Sequence, residues 1–203
     1  MEAAATARAG PGRPSTGARE RILEGSLEVL KESGFAGLTF AKVAAASGES
    51  KALISYHFGS KDGLIAAAGR ELGEEITREV LDGLEGATTV EAIVSGAADA
   101  LWRLIERDER LPRVYFDLNA VSVVDSDIRD VLREIKAAWR SVVSRVLLEA
   151  NPPVAEGHVG AVTTLLIAGL EGLTLERIER GETPELDQAR ELFVRSVRAV
   201  ALD

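Results

Sequence analysis

Three hydroxyl residues, Thr39, Ser50 and Ser60, stand ten or eleven residues apart, each ahead of a run with helical apolar spacing. Such side chains favour the N-cap, where the oxygen accepts a hydrogen bond from an orphan backbone N–H. Gly48 falls between the first two and supplies the positive φ that ends a helix abruptly. The spacing predicts a short helix over 40–47, another over 51–57, and a long one from Lys61 to about Leu84. Two short helices can cross steeply only if the turn is tight and the contact residue small, and Ala44 meets the second condition. Phe40, Val43, Ile54 and Phe58 form the apolar seam of the pair. It faces a preceding helix over 16–33, whose stripe is Ile22, Leu23, Leu27 and Leu30 and whose terminator is Gly34. This is a helix-turn-helix with its second helix free to enter a major groove.

The remainder reads as five longer helices at 88–108, 112–123, 127–150, 155–180 and 185–201. Their breaks are marked by Gly86 with Thr88, by Pro112, by Asp125 with Ser126, by Asn151-Pro152-Pro153, and by Gly181 with Pro184. No period-two strand pattern is visible, and aromatic residues are only 4% of the chain, so the fold class is all-α. The expected organisation is a disordered arm over 1–16, a helix-turn-helix DNA-binding domain over 17–63, and a second helical domain over 64–203, to which the family resemblance given below assigns effector binding and dimerisation. Gly69 and Gly73 are expected to be bending points of the long helix that joins the two domains.

The net charge of −9 looks unsuited to a nucleic-acid partner until it is divided. Residues 1–70 carry nine Lys/Arg against seven Asp/Glu, and residues 71–203 carry fifteen against twenty-six. The acidity therefore belongs to the second segment, leaving the first able to face phosphates. The absence of cysteine rules out disulfides and thiolate metal sites. His57 and His158 lie far apart, and no carboxylate cluster makes up the deficit, so neither metal nor cofactor is expected. No phosphate loop, nucleophile elbow or Cys/His pairing supports an enzyme. The first residues lack the apolar centre of a signal peptide, and the longest apolar run, 159–175, is interrupted by Thr163, Thr164, Gly169 and Glu171. No membrane span is expected, and the protein is placed in the cytoplasm.

Thr39, Val43-Ala44, Gly48, Ser50-Lys51, the run Tyr56-His57-Phe58, and Ser60-Lys61 followed by Leu64 together resemble the TetR family of transcriptional regulators. The resemblance covers roughly residues 17–70. Two positions depart from the family pattern: Glu49 replaces a usual apolar residue, and Ser55 a common aromatic. The resemblance implies that Thr39 holds a phosphate, that Ser50 and Lys51 open the recognition helix, and that Tyr56, His57 and Lys61 clamp the DNA backbone. Leu53 and Ala52 are expected against thymine methyls, and Arg13 and Arg19 in an adjacent groove. It further implies an effector pocket near Trp102, Phe116, Asn119 and Trp139, with Tyr115 among the large residues of that region. The dimer interface is implied on the last two helices, at Leu166, Gly169, Leu170, Leu173, Phe193 and Val197. The partners expected are double-stranded operator DNA, a second copy of the chain and a small-molecule effector. Two alternatives stay open: a DNA-binding regulator with no effector, and a helical carrier or enzyme.

Overall fold

The computed structural model describes residues 17–202; the expected arm, with Arg13, lies outside the described residues. Within them the chain is helical throughout, in the order α1 (Ala18–Gly37), α2 (Phe40–Ser47), α3 (Lys51–Phe58), α4 (Lys61–Gly83), α5 (Val90–Asp108), α6 (Arg110–Ser122), α7 (Ser126–Glu149), α8 (Glu156–Arg180) and α9 (Pro184–Leu202). Side-chain oxygens set most of these starts. Thr39 accepts from the Lys42 N–H, Ser50 from Leu53, Ser60 from Gly63, Thr89 from Ala92, and Asp125 from both Asp127 and Ile128. Gly34 leaves helical geometry at φ 63°, and the chain takes one further turn before Leu38. Pro112 does not precede α6 but sits in its first turn, where a missing N–H leaves no intrahelical bond unmade.

Gly48 (φ 72°) turns the chain from α2 into α3. The close contact behind this pair is Gly25 on α1. A β-carbon there would stand 2.9 Å from the Ser47 backbone nitrogen, so only glycine lets α2 lie this near α1. Ala44, expected in that role, is half-buried at the edge of the seam. Val43 and Ile54 are fully buried, and Phe40 and Phe58 pack against them.

Two cores organise the molecule. The first joins α1, α2, α3 and α4 to α6 and the first half of α7, through Ile22, Leu38, Ile54, Leu72, Leu118 and Ile135 among others. The second joins α5 to α8, α9 and the end of α7, through Ile93, Leu147, Leu166 and Val197. The boundary expected after residue 63 therefore falls inside the first core. Gly69 and Gly73, the expected bending points, lie within one continuous helix and are close-packing sites in it. A β-carbon at Gly73 would stand 2.8 Å from Ile135 of α7.

Candidate nucleic-acid interface and effector cavity

The pair α2–α3 stands on the first core and turns one face outward. Thr39, Ser50, Lys51, Ala52, Ser55 and Tyr56 are exposed, Tyr56 by 74% despite its large ring. Thr39 and Ser50 each accept a backbone N–H, at 3.2 and 3.1 Å, and each hydroxyl retains its own proton for an external acceptor. The helix N-termini add partial positive charge beside them. His57 is half-buried, with its ring edge-on to Tyr56 at 5.3 Å and its Nε2 buried without a partner. Lys61 sits at the start of α4 with its ammonium 5.7 Å from the centre of the Phe35 ring. Leu53 is half-buried against the first core, so part of its surface is committed to packing rather than to the exposed face. Arg19 lies over the Phe58 ring at 5.8 Å.

Glu49, the departure from the family pattern, pairs with Arg21 of α1 at 2.6 Å and ties the turn down from outside. An Arg and a Glu 28 residues apart carry no sequence signal of such a contact.

The second feature is a cavity of about 90 Å³ at the seam between the two cores. Ile76, Leu104 and Tyr115 of the first core and Ile93, Leu166 and Leu170 of the second all line it. Of the four residues expected around an effector pocket, Phe116 and Trp139 line this cavity, and Trp102 and Asn119 do not. Leu101 faces the cavity, and Trp102, one residue on, is turned about 100° away. It is 5% exposed between α5 and α9, beneath Arg190 at 5.4 Å. Asn119 gives its amide to the Tyr115 carbonyl at 3.0 Å instead.

The polar groups in this wall are bonded mainly to one another. The Trp139 Nε1 donates to Thr77 at 2.8 Å, and Thr77 donates to the Gly73 carbonyl at 2.6 Å. The Tyr115 hydroxyl donates to Glu171, and Lys136 pairs with the same carboxylate oxygen at 2.9 Å. Burial, with Glu171 beside it, pushes the Tyr115 hydroxyl far above the ordinary phenol range, so it stays a donor. Glu171 was legible as an odd acid in an apolar helix; its partners on α6 and α7 were not.

The helices expected to pair between copies need correction in detail. Leu166, Leu170 and Val197 are 2%, 6% and 0% exposed, already buried within the chain. Gly169 is packed by Phe193, whose ring a β-carbon would meet at 2.1 Å, so this contact is also internal. Leu173 is half-buried. The resemblance pointed to these two helices, but the residues named on them lie on faces that the chain itself buries or half-buries. The outward face of α8 carries Ala161, Ala168, Gly172 and Leu175, and that of α9 carries Leu192, Ala199 and Val200. This second apolar face makes α8, a helix of 25 residues whose most apolar window has a mean hydropathy of 1.4, long and apolar enough to cross a membrane by length and composition. The expectation that no segment reaches that length is corrected accordingly. Only 33% of its most apolar window is buried within the chain. Among the described residues no group of three or more His, Asp or Glu could hold a metal ion.

Similarity to known proteins follows this division of the chain. Residues 22–68 match the bacterial regulatory proteins of the tetR family, and residues 90–202 match the C-terminal part of the BetI-type transcriptional repressors. The HTH-type transcriptional regulator BetI 1 of Chromohalobacter salexigens is 34% identical over 86 residues, 40% of this chain and 43% of that protein. The HTH-type nicotine-responsive transcriptional repressor HdnoR of Paenarthrobacter nicotinovorans is 22% identical over 132 residues, 65% of this chain and 68% of that one. The match to BetI 1 thus spans less than half of that relative's length. A TetR-family regulator structure from Rhodococcus sp. superposes with a TM-score of 0.75 at 22% identity, covering 91% of this chain and 98% of its own. With the C-terminal match alone extending over more than half of its residues, the chain belongs to the tetR family of bacterial regulatory proteins.

Proposed function

We propose that this protein is a homodimeric DNA-binding transcription regulator that acts in the cytoplasm as a repressor and is released from its operator by a small molecule. The observation that carries the reading is α3, a short capped helix held from behind by Val43 and Ile54 while Lys51, Ala52, Ser55 and Tyr56 face outward. Thr39, Ser50, Lys51, Tyr56, His57 and Lys61 supply hydroxyls, ring edges and charge around it, the groups that position a duplex by its phosphates. Its relatives are named as regulators, and we read it as a regulator and not as an enzyme.

The dimer is read from the outward faces of α8 and α9, where Ala168 and Gly172 permit close helix approach. Leu175, Leu192 and Val200 there remain 38%, 51% and 52% exposed in a single copy. A two-fold pair presents two recognition helices and requires a near-palindromic operator.

The effector is read from the cavity. α6 supplies Tyr115 and Phe116 to its wall and packs its other side on α1, so a molecule wedged at the seam displaces the element that supports the DNA-binding helices. Among the relatives, HdnoR is nicotine-responsive by name. The test is a gel shift on the DNA flanking the protein's own gene, repeated from low to high salt. A shift that weakens steeply with salt supports the reading, because each neutralised phosphate releases counterions. Salt-insensitive binding, or no shift at any salt, overturns it.

A further inference from the structure

The cavity also indicates what kind of molecule it takes, and this step rests on reading it as the effector site. Three aromatic rings and a glutamate, Tyr115, Phe116, Trp139 and Glu171, would suit an organic cation if the carboxylate were free. It is not free. The Lys136 ammonium sits 2.9 Å from Glu171 and 5.9 Å from the centre of the Tyr115 ring, filling the place a ligand cation would take. Tyr115 bonds the same carboxylate, and Thr77 is committed to Trp139 and the Gly73 carbonyl. Nearly two turns beyond Glu171 on α8, Arg177 pairs with Glu182 at 3.5 Å, so that end offers no uncompensated charge either.

What the wall exposes is almost entirely hydrocarbon, and among its polar side chains one hydroxyl lacks a partner. Thr174 lines the cavity, is 5% exposed, and its hydroxyl is buried with no hydrogen-bond partner. Arg177, three residues along the same helix, has its Nε buried and equally unpartnered. Buried donors of this kind are seldom left unmade. Of the two, only Thr174 lines the apolar slot, and its unmade bond marks where a ligand oxygen would be received. We propose that the effector is an uncharged, predominantly hydrocarbon molecule carrying one oxygen acceptor, a hydroxyl or carbonyl, that is seated against Thr174. An ion of either sign is disfavoured because it would enter an apolar slot whose charges are already matched. At about 90 Å³ the slot exceeds the roughly 10–15 Å³ needed by a single water several-fold.

Four probes sharing a six-carbon chain test this: 1-hexanol, hexane, hexylammonium and hexanoate. They are titrated into the full-length Trp102→Phe protein, whose remaining tryptophan, Trp139, lies in the cavity wall and reports occupancy by its emission. Hexanol should bind about five-fold tighter than hexane, the value of one net hydrogen bond, and at least about ten-fold tighter than either ion. Adding Thr174→Val should abolish the hexanol preference and leave hexanol no tighter than hexane, because its hydroxyl would be desolvated without a partner. It should also raise the melting temperature without ligand, because a buried unpaired hydroxyl is removed. Tighter binding of hexylammonium or hexanoate, or an unchanged hexanol preference in Thr174→Val, overturns the proposed class while leaving the cavity an effector site. No change in Trp139 emission with any probe overturns the class and the effector reading together.

Discussion

Gly25→Ala sets two opposed effects against each other at the joint between α1 and α2. Alanine in a helix interior is worth about 1 kcal/mol over glycine, which alone would stabilise the protein. The new β-carbon would stand 2.9 Å from the Ser47 nitrogen, 3.0 Å from its Cβ and 3.1 Å from its Cα. Two of these three atoms are backbone, so no rotamer change relieves the contact and α2 itself must move. Overpacking of this kind costs about 1–3 kcal/mol, which leaves the variant destabilised by up to about 2 kcal/mol. The functional effect should be larger than the loss of stability, because α2 carries Thr39 and fixes the angle of α3. Urea unfolding followed by helical circular dichroism, at one protein concentration, gives the first quantity. Fluorescence anisotropy on labelled operator gives the second, and affinity should fall at least ten-fold while helical content stays unchanged. A variant stabilised by the full helix-propensity gain, with wild-type DNA affinity, would refute a tight α1–α2 joint.

Three further outcomes follow from the same geometry. Ile54→Ala empties a fully buried site behind the recognition helix and should cost about 2–5 kcal/mol in urea unfolding. Leu192→Glu combined with Val200→Glu should give a folded monomer by light scattering, with operator affinity lost, because both side chains are exposed in the single copy. Asp108 is held at a pKa of about 2, below its usual 3.8, chiefly by the hydrogen bond from Arg110. A depressed carboxylate stabilises the fold above its unfolded pKa, so this contribution is whole above about pH 4 and lost as pH falls toward 2. Asp108→Asn should flatten the acid limb of the stability curve over that window, as read by thermal melts.

What was legible in the chain depended on whether the cause was local. Thr39, Gly48, Ser50 and Ser60 act within their own turn, so the ends of α2 and α3 and the start of α4 could be read to within a residue. Apolar periodicity showed which helices have a buried stripe, but not which side of α8 the rest of the chain would cover. Leu166 and Leu170 turned inward, and the smaller Ala168 and Gly172 were left outside. The cavity was half legible. Phe116 and Trp139 are large residues on the right helices, whereas Tyr115, Glu171 and Lys136 meet only because α6, α8 and α7 are packed together. Trp102 shows the limit of ranking residues by size: it was drawn under Arg190 rather than into the slot.

The central claim, that two copies of α3 read one duplex, is tested most directly by in vitro selection. Purified protein is allowed to choose from random double-stranded DNA at near-physiological salt, and Lys51→Ala is run alongside. The account predicts enrichment of a near-palindrome with half-sites about one helical turn, or a multiple of it, apart. It also predicts that Lys51→Ala alters or relaxes the preference at positions inside each half-site. Enrichment of no sequence, or of an asymmetric site that Lys51→Ala selects equally well, would contradict it.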